Sequence, residues 1–134
     1  MDAVDTNVLL YVHDPRDPDK QTKATVLIRS LTDGALLWQV ACEYLAASRK
    51  LASQGYGFPQ AWQDVQDLRR IWPTLLPSWQ VLERANKLMQ GYMLSYWDAM
   101  IIAACLEGGV STLYSEDFDA YANVDGLVLK NPFR

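Results

Sequence analysis

The stretch Ala3-Val4-Asp5-Thr6-Asn7-Val8-Leu9-Leu10-Tyr11 places three polar residues between two apolar runs. The first run predicts a short buried strand, and the second predicts the apolar face of a helical turn. Aspartate, threonine and asparagine side chains readily form hydrogen bonds with nearby backbone groups, and they can also orient a neighbouring carboxylate. The stretch therefore predicts a strand that ends in an acidic, hydrogen-bonding connection to a helix.

Short apolar runs continue to alternate with amphipathic segments through the rest of the sequence. Besides the first strand, the pattern predicts strands at residues 35–38, 75–76, 110–114 and 127–129. Helices are predicted at residues 19–31, 40–53, 59–72, 78–93 and 95–107. Strands that alternate with helices indicate an α/β fold with a parallel sheet and helices on both faces.

Four acidic residues lie where a strand or a short connection gives way to a predicted helix: Asp5, Glu43, Asp98 and Asp117. In parallel sheets, ligands bind outside the carboxyl ends of the strands, at the point where the strand order reverses. Asp5 follows the first predicted strand and Asp117 follows the fourth. If these two strands are neighbours, both carboxylates enter one crevice, but periodicity alone does not give the strand order.

Each of these acids also has an ordinary structural explanation. The helix dipole would stabilise Glu43 and Asp98 as first-turn acids, Asp98 completes a capping-box-like pattern, and Asp117 could be an N-cap. However, Asp98 shares a predicted helical face with Ile101 and Ile102. A charge on an inward apolar face is costly unless it is paired or bound to a metal, which favours a functional role for Asp98.

The overall composition limits the class of protein. The 134 residues, half of them hydrophobic, suit one compact domain over residues 1–134. Sixteen acidic residues against twelve basic ones disfavour nonspecific wrapping of nucleic acid, but not a nuclease whose metal neutralises phosphate locally. No apolar stretch approaches the ~20 residues that cross a bilayer, and the first residues do not resemble a signal peptide, so no membrane association is expected.

The cysteine, histidine and tryptophan residues add little chemistry. Cys42 and Cys105 lack metal-ligand spacing and are expected to be buried thiols in a reducing, cytoplasmic environment. His13 has no clear base partner and is expected to be a surface or packing residue. The aromatic and apolar residues between Trp62 and Trp79 indicate core packing or a partner interface.

Four segments of the sequence resemble the PIN domain, and most closely the VapC-type ribonuclease toxins of VapBC toxin–antitoxin pairs. They are Val4-Asp5-Thr6-Asn7-Val8-Leu9-Leu10-Tyr11, Trp38-Gln39-Val40-Ala41-Cys42-Glu43-Tyr44, Tyr96-Trp97-Asp98-Ala99-Met100-Ile101-Ile102-Ala103-Ala104 and Leu113-Tyr114-Ser115-Glu116-Asp117-Phe118. The resemblance spans nearly the whole chain and implies a three-layer α/β/α sandwich with a mostly parallel central sheet. It also implies that four carboxylates converge there: Asp5, Glu43, Asp98 and Asp117.

The resemblance further implies an activity and partners. The activity is that of a Mg²⁺- or Mn²⁺-dependent endoribonuclease that hydrolyses phosphodiester bonds in transfer RNA or other structured RNA, as the toxin of a type II toxin–antitoxin system. The implied partners are a cognate VapB-like antitoxin and a second copy of the chain in a homodimer. Thr6, Asn7 and Ser115 would support the acids with hydrogen bonds.

Crowded carboxylates raise one another's pKa, and a hard divalent cation with oxygen ligands relieves the repulsion. Because Mg²⁺ usually takes only one or two carboxylates directly, Asp5 and Asp98 are expected to be its direct ligands. Glu43 and Asp117 would then complete the coordination shell or act through water.

The sequence leaves two residue assignments open. Glu116 and Asp119 flank Asp117 and compete for its role. Arg49 and Lys50 are candidates for binding substrate phosphate, although a solvated helix face is the commoner explanation of such a pair.

Three other functions can be weighed against the toxin. An aspartyl-nucleophile phosphatase would also place an aspartate after the first strand, but it needs a second acid two residues later, where this chain has Asn7. A catalytically inactive binding module would keep the carboxylates for structure and bind no metal. An RNA-processing nuclease that is not a toxin would share the site and differ in its partners.

Overall fold

The computed structural model describes residues 1–134, which form six α-helices, six strands and one 3₁₀ helix. The strands are β1 (Asp2–Val4), β2 (Gly34–Leu37), β3 (Thr74–Leu75), β4 (Thr112–Tyr114), β5 (Asn123–Val124) and β6 (Leu127–Lys130). The helices are α1 (Thr6–Tyr11), α2 (Pro18–Ser30), α3 (Trp38–Ala47), α4 (Phe58–Ile71), α5 (Trp79–Gly91) and α6 (Tyr96–Glu107). The 3₁₀ helix Ser48–Gln54 continues directly from α3.

The six strands form one sheet in the order β3-β2-β1-β4-β6-β5. All neighbouring pairs are parallel except β5 and β6. The chain builds outward from β1 to β3 and then returns to add β4 on the other side of β1, with Val4 opposite Tyr114. The strand order therefore reverses between β1 and β4, which is where ligands bind in such sheets.

Helices flank this mostly parallel sheet, as the alternating pattern predicts. Four helices are linked by mutual packing (α1 to α4), while α5 packs along α6 as a separate pair. All four residues of β2 are buried, as expected for a central strand covered on both faces. Thirty buried hydrophobic residues form one continuous core.

The predicted elements are largely confirmed, with four differences. Helix α3 begins at Trp38, so Trp38 does not belong to the preceding strand and Glu43 lies in the second helical turn rather than the first. The predicted helix over 40–53 is in fact the end of α3 and the 3₁₀ helix. No helix follows β4, and residues 115–122 form a loop. Strand β5 was not predicted, although Asp125-Gly126, both at positive φ, is a strong hairpin signal.

The expectation of two buried thiols is wrong for Cys42. Cys42 is exposed on α3, whereas Cys105 is buried in α6. The two faces of α3 explain the difference, because Val40, Ala41 and Tyr44 are the residues that this helix buries. No helix of the structure combines the length and the apolarity needed to span a membrane.

A tight packing contact in β2 gives a stability prediction. A Cβ atom added at Gly34 would overlap Cε2 of Trp72, a ring that is itself buried. Gly34→Ala is therefore expected to lower the free energy of unfolding by about 3 kcal/mol, at the upper end of overpacking costs. Gly91→Ala is the matched control, because nothing lies within 4 Å of its new Cβ. Urea unfolding of both variants tests this, and equal stabilities would contradict it.

Candidate active site

Asp5 lies where the strand order reverses, at the end of β1. Its backbone N–H donates to Tyr114 O (2.8 Å), and its side chain caps α1 by accepting from Thr6 N (2.7 Å). The other carboxylate oxygen accepts from Ser115 Oγ (2.7 Å), and the residue is only 4% exposed. Burial raises the pKa of Asp5 from 3.8 to about 6; the bonds from Ser115 and Thr6 oppose this shift, and the charges of Asp117 and Glu43 add to it.

Ser115 connects the ends of β1 and β4. Its hydroxyl donates to Asp5 and accepts from Asn7 Nδ2 (3.3 Å) and from Asp117 N (3.1 Å). A hydroxyl has one hydrogen and two lone pairs, so this buried group uses its full hydrogen-bonding capacity. Ser115 thereby fixes the loop that carries Asp117 against Asp5.

Asp117 is held from the side of α1. Asn7 Nδ2 donates to Asp117 Oδ2 (3.1 Å), while the buried Oδ1 of Asn7 has no hydrogen-bond partner. Partial burial raises the pKa of Asp117, the bond from Asn7 lowers it, and the negative charges of Glu116, Asp98 and Asp119 raise it. Asp98 therefore lies near enough to Asp117 for their charges to interact.

Glu43 joins the same network through helix α3. Thr6 Oγ1 donates to Glu43 Oε2 (2.9 Å), and Gln39 Nε2 donates to Glu43 Oε1 (2.8 Å). Gln39 also donates to the backbone oxygen of Trp97 (3.3 Å), which ties α3 to the start of α6. Gln39 is a site residue that was not predicted, although its position one helical turn before Glu43 is a usable signal.

Asp98 completes the set at the first turn of α6. Ser95 Oγ accepts from Asp98 N (3.2 Å), so the N-cap forms, but the Asp98 carboxylate makes no hydrogen bond or ion pair. The rest of its helical face is buried, with Ile101, Ile102 and Cys105 below it. The helix thus leaves a half-buried carboxylate without a partner beside Asp117.

The three acids of the β4–β5 loop differ in their hydrogen-bond partners. Glu116 accepts from Lys20 Nζ and from the Tyr11 hydroxyl, both at 2.9 Å. Asp119 accepts from Arg134 and Asn131. Only Asp117 takes part in the network around Asp5.

The remaining sequence candidates make no hydrogen bond or ion pair with the four acids. Arg49 and Lys50 are exposed in the 3₁₀ helix and make no hydrogen bond or ion pair through their side chains. His13, expected to lack a base partner, in fact stacks on Tyr56 (ring centroids 4.0 Å apart) and places Nε2 3.2 Å from Asp64 Oδ2. Tyr56 in turn hydrogen-bonds Asp64 and Tyr44.

The donor atoms of the site suit a hard cation. No three acidic side chains come close enough to hold a metal ion by themselves. The available groups are nevertheless all oxygen donors, and the unsatisfied Asn7 Oδ1 adds a further acceptor within the network. Burial raises the pKa of the nearby Cys105 thiol, so a thiolate does not compete. This chemistry fits Mg²⁺ or Mn²⁺ with water completing the coordination.

Comparisons with known proteins agree with this architecture. The chain is similar to a chain of a toxin–antitoxin complex from Klebsiella pneumoniae (TM-score 0.72, 19% identity, 98% of each chain covered). It is also similar to VapC20 of Mycobacterium tuberculosis, described as a sarcin-ricin loop cleaving toxin (TM-score 0.69, 17% identity, covering 93% of this chain and 98% of that one). A third similar structure is FitAcB from Neisseria gonorrhoeae (TM-score 0.70, 17% identity, 99% of each chain).

At these identities the structures show a shared fold. A search of curated proteins found no significant match. The PIN domain family model matches residues 3–127, which is nearly the whole chain. The chain therefore belongs to the PIN domain family.

Proposed function

We propose that the chain is a divalent-metal-dependent endoribonuclease and the toxin of a VapBC-type toxin–antitoxin pair. The observation that carries the enzymatic part is the network at the β1–β4 reversal. Through Thr6, Asn7 and Ser115 it joins Asp5, Glu43 and Asp117, three acids that are distant in sequence. Holding like charges together is unfavourable without a cation, so the arrangement is best explained as a metal site.

Asp5 and Asp98 are the proposed direct ligands of Mg²⁺ or Mn²⁺. A carboxylate has about four lone-pair positions, and Asp5 uses two of them for Thr6 and Ser115. Asp98 has its whole carboxylate free. Glu43 and Asp117 orient water around the site. A bound divalent cation supplies Lewis-acid chemistry, because it neutralises phosphate charge and makes water a stronger nucleophile at neutral pH.

The phosphatase alternative fits the site less well. Both oxygens of Asp5 accept hydrogen bonds and the residue is buried, which leaves it a poor nucleophile. Asn7, two residues later, cannot serve as the acid of that chemistry. Metal affinity distinguishes the catalytically inactive binding module from the nuclease. Absence of Mg²⁺ and Mn²⁺ binding in calorimetry would favour the inactive module.

The toxin part of the proposal rests on the similar structures. One of them is a chain of a toxin–antitoxin complex and another is described as a toxin, and 98% of each of these two chains is covered. An exposed apolar groove between α3, α4 and β3 supports a protein partner, proposed as a VapB-like antitoxin. It includes Trp38, Leu45 and Trp62, and Trp62 is 50% exposed. A homodimer and a transfer RNA or other structured RNA substrate complete the proposal.

The direct test is cleavage of RNA by the purified chain. With Mg²⁺ or Mn²⁺ we expect discrete fragments from total transfer RNA, and none after EDTA is added. Restoration of cleavage by excess Mg²⁺ distinguishes metal dependence from irreversible damage. Cleavage that is unaffected by EDTA would contradict the proposal.

Asp117 and Asp119, two acids of the same loop, give a matched pair of variants. Asp117→Asn is expected to lower the cleavage rate about 10- to 100-fold, the usual cost of losing a group that supports a metal site. Asp119→Asn makes the same change two residues away, but the Asp119 carboxylate bonds Arg134 and Asn131 instead of the network. It should keep the rate within about threefold. Equal losses in both variants would show that net charge, rather than the network, sets the rate.

A further inference from the structure

A cavity of about 220 Å³ opens beside the acid network, between α1 and the 3₁₀ helix. Asn7, which bonds Asp117, forms part of its wall, and Lys50 and Arg16 form other parts. The cavity therefore begins at the candidate active site and extends toward the basic residues. Its volume is smaller than the 300–1,000 Å³ of pockets that enclose a drug-sized ligand, so it suits part of a larger molecule.

Three of the four charged residues that line this cavity are neutralised by ion pairs. Asp14 accepts two hydrogen bonds from the Arg16 guanidinium, at 2.8 and 2.9 Å. Glu116, which also lines the cavity, is paired with Lys20 at 2.9 Å. Lys50 alone has no ion pair or hydrogen bond. The cavity thus presents one uncompensated positive charge next to a strongly acidic site.

The rest of the wall is partly apolar. Leu51 is a buried lining residue, and the Tyr11 ring is held edge-on to Phe133 with centroids 5.0 Å apart. The Tyr11 hydroxyl is fixed by its bond to Glu116. A preformed recess with one free cation and an apolar wall matches a phosphate attached to a sugar.

We propose that this cavity binds the phosphate and ribose of the RNA nucleotide next to the scissile bond, with Lys50 as the cation that contacts that phosphate. The proposal rests on the proposed ribonuclease function and deepens it, because it gives the direction in which the strand leaves the acids. It also separates Lys50 from Arg49, since Arg49 does not line this cavity.

The test is binding of a fluorescein-labelled single-stranded RNA 12-mer, measured by anisotropy in EDTA over a series of salt concentrations. One lost phosphate contact lowers the slope of log K against log salt by about 0.7, which corresponds to about fivefold weaker binding at 0.1 M salt. Lys50→Gln is expected to show both changes. Lys87→Gln, which removes the charge of an exposed lysine on α5, should show neither, and Arg49→Gln should change binding less than twofold.

Several results would overturn the assignment. If Lys50→Gln binds the RNA with wild-type affinity, Lys50 does not contact the RNA phosphate. The Lys50 charge would then be available to an acidic segment of a protein partner. If RNA affinity falls equally in Lys50→Gln and in either Arg49→Gln or Lys87→Gln, the effect is diffuse electrostatics and not a contact in the cavity. Absence of measurable RNA binding by the wild type at 50 mM salt would also contradict the assignment. Because EDTA prevents metal-dependent cleavage, this measurement stands apart from the cleavage test. A wild type that binds in this way but never cleaves would refute only the ribonuclease function.

Discussion

Asp5→Asn is expected to lower the rate of Mg²⁺-dependent RNA cleavage by at least about 100-fold. Removal of a group that merely supports a metal site typically lowers activity 10- to 100-fold. Asp5 is proposed as a direct ligand at the centre of the network, so its loss should lower the rate further. Two of the other site acids, Asp117 and Glu43, lie close enough to shift its pKa. Initial rates at saturating Mg²⁺ give the measurement, and Asp98→Asn is expected to cause a loss of similar size.

The fold should survive the Asp5→Asn change. Thr6 N and Ser115 Oγ donate to different oxygens of Asp5, and an asparagine can satisfy only one of them. The lost hydrogen bond is offset because the variant no longer buries a charge, the largest influence on the pKa of Asp5. Circular dichroism should therefore match the wild type. Asp19→Asn, an exposed helical acid, is the control for cleavage, and full activity in both Asp5→Asn and Asp98→Asn would contradict the ligand assignment.

The order of elements could be predicted from sequence because each element has a local signal. The run Ala3-Val4 followed by Asp5 and the hydrophobic face of α6 are readable from a few neighbouring residues. The pairing of β1 with β4 is different in kind, since it joins residues more than 100 positions apart. Periodicity carries no information about such pairing, so the convergence of Asp5 with Asp117 stayed conditional until the strand order was known.

The parts of the site that escaped prediction share this non-local origin. Glu116, Asp117 and Asp119 look alike in sequence, and only their partners Lys20, Asn7 and Arg134 separate them. Each partner comes from a distant segment. The expected N-cap at Asp117 failed for a related reason: the loop is held by Ser115 and Asn7, so it needs no helix to satisfy its backbone.

Mg²⁺ is expected to raise the melting temperature of the protein strongly at pH 7.5 and weakly at pH 5. The folded metal-free protein holds the Asp5 proton up to a pKa of about 6, whereas the unfolded chain releases it near 3.8. The folded state thus binds more protons between these values, and its stability falls as the pH rises through this window. A shift of about two units corresponds to at most about 3 kcal/mol. The cation binds the ionised carboxylate, so it offsets this loss only where Asp5 has lost its proton.

At a Mg²⁺ concentration of about 100 times Kd, the stabilisation is about 2.7 kcal/mol, or roughly 10 °C for a chain of this size. The comparison must be made with and without Mg²⁺ at each pH, because burial lowers the pKa of His13 and gives an opposite trend, with stability rising toward pH 6.5. The His13 contribution is the same with and without Mg²⁺ at a given pH, so it cancels when the two melting temperatures are subtracted. Asp5→Asn lacks the titrating group, so its metal-free stability should vary less with pH and Mg²⁺ should shift its melting temperature by no more than about 2 °C. A Mg²⁺ shift in the wild type that is the same at pH 5 and 7.5, or that persists in Asp5→Asn, would place the cation away from Asp5.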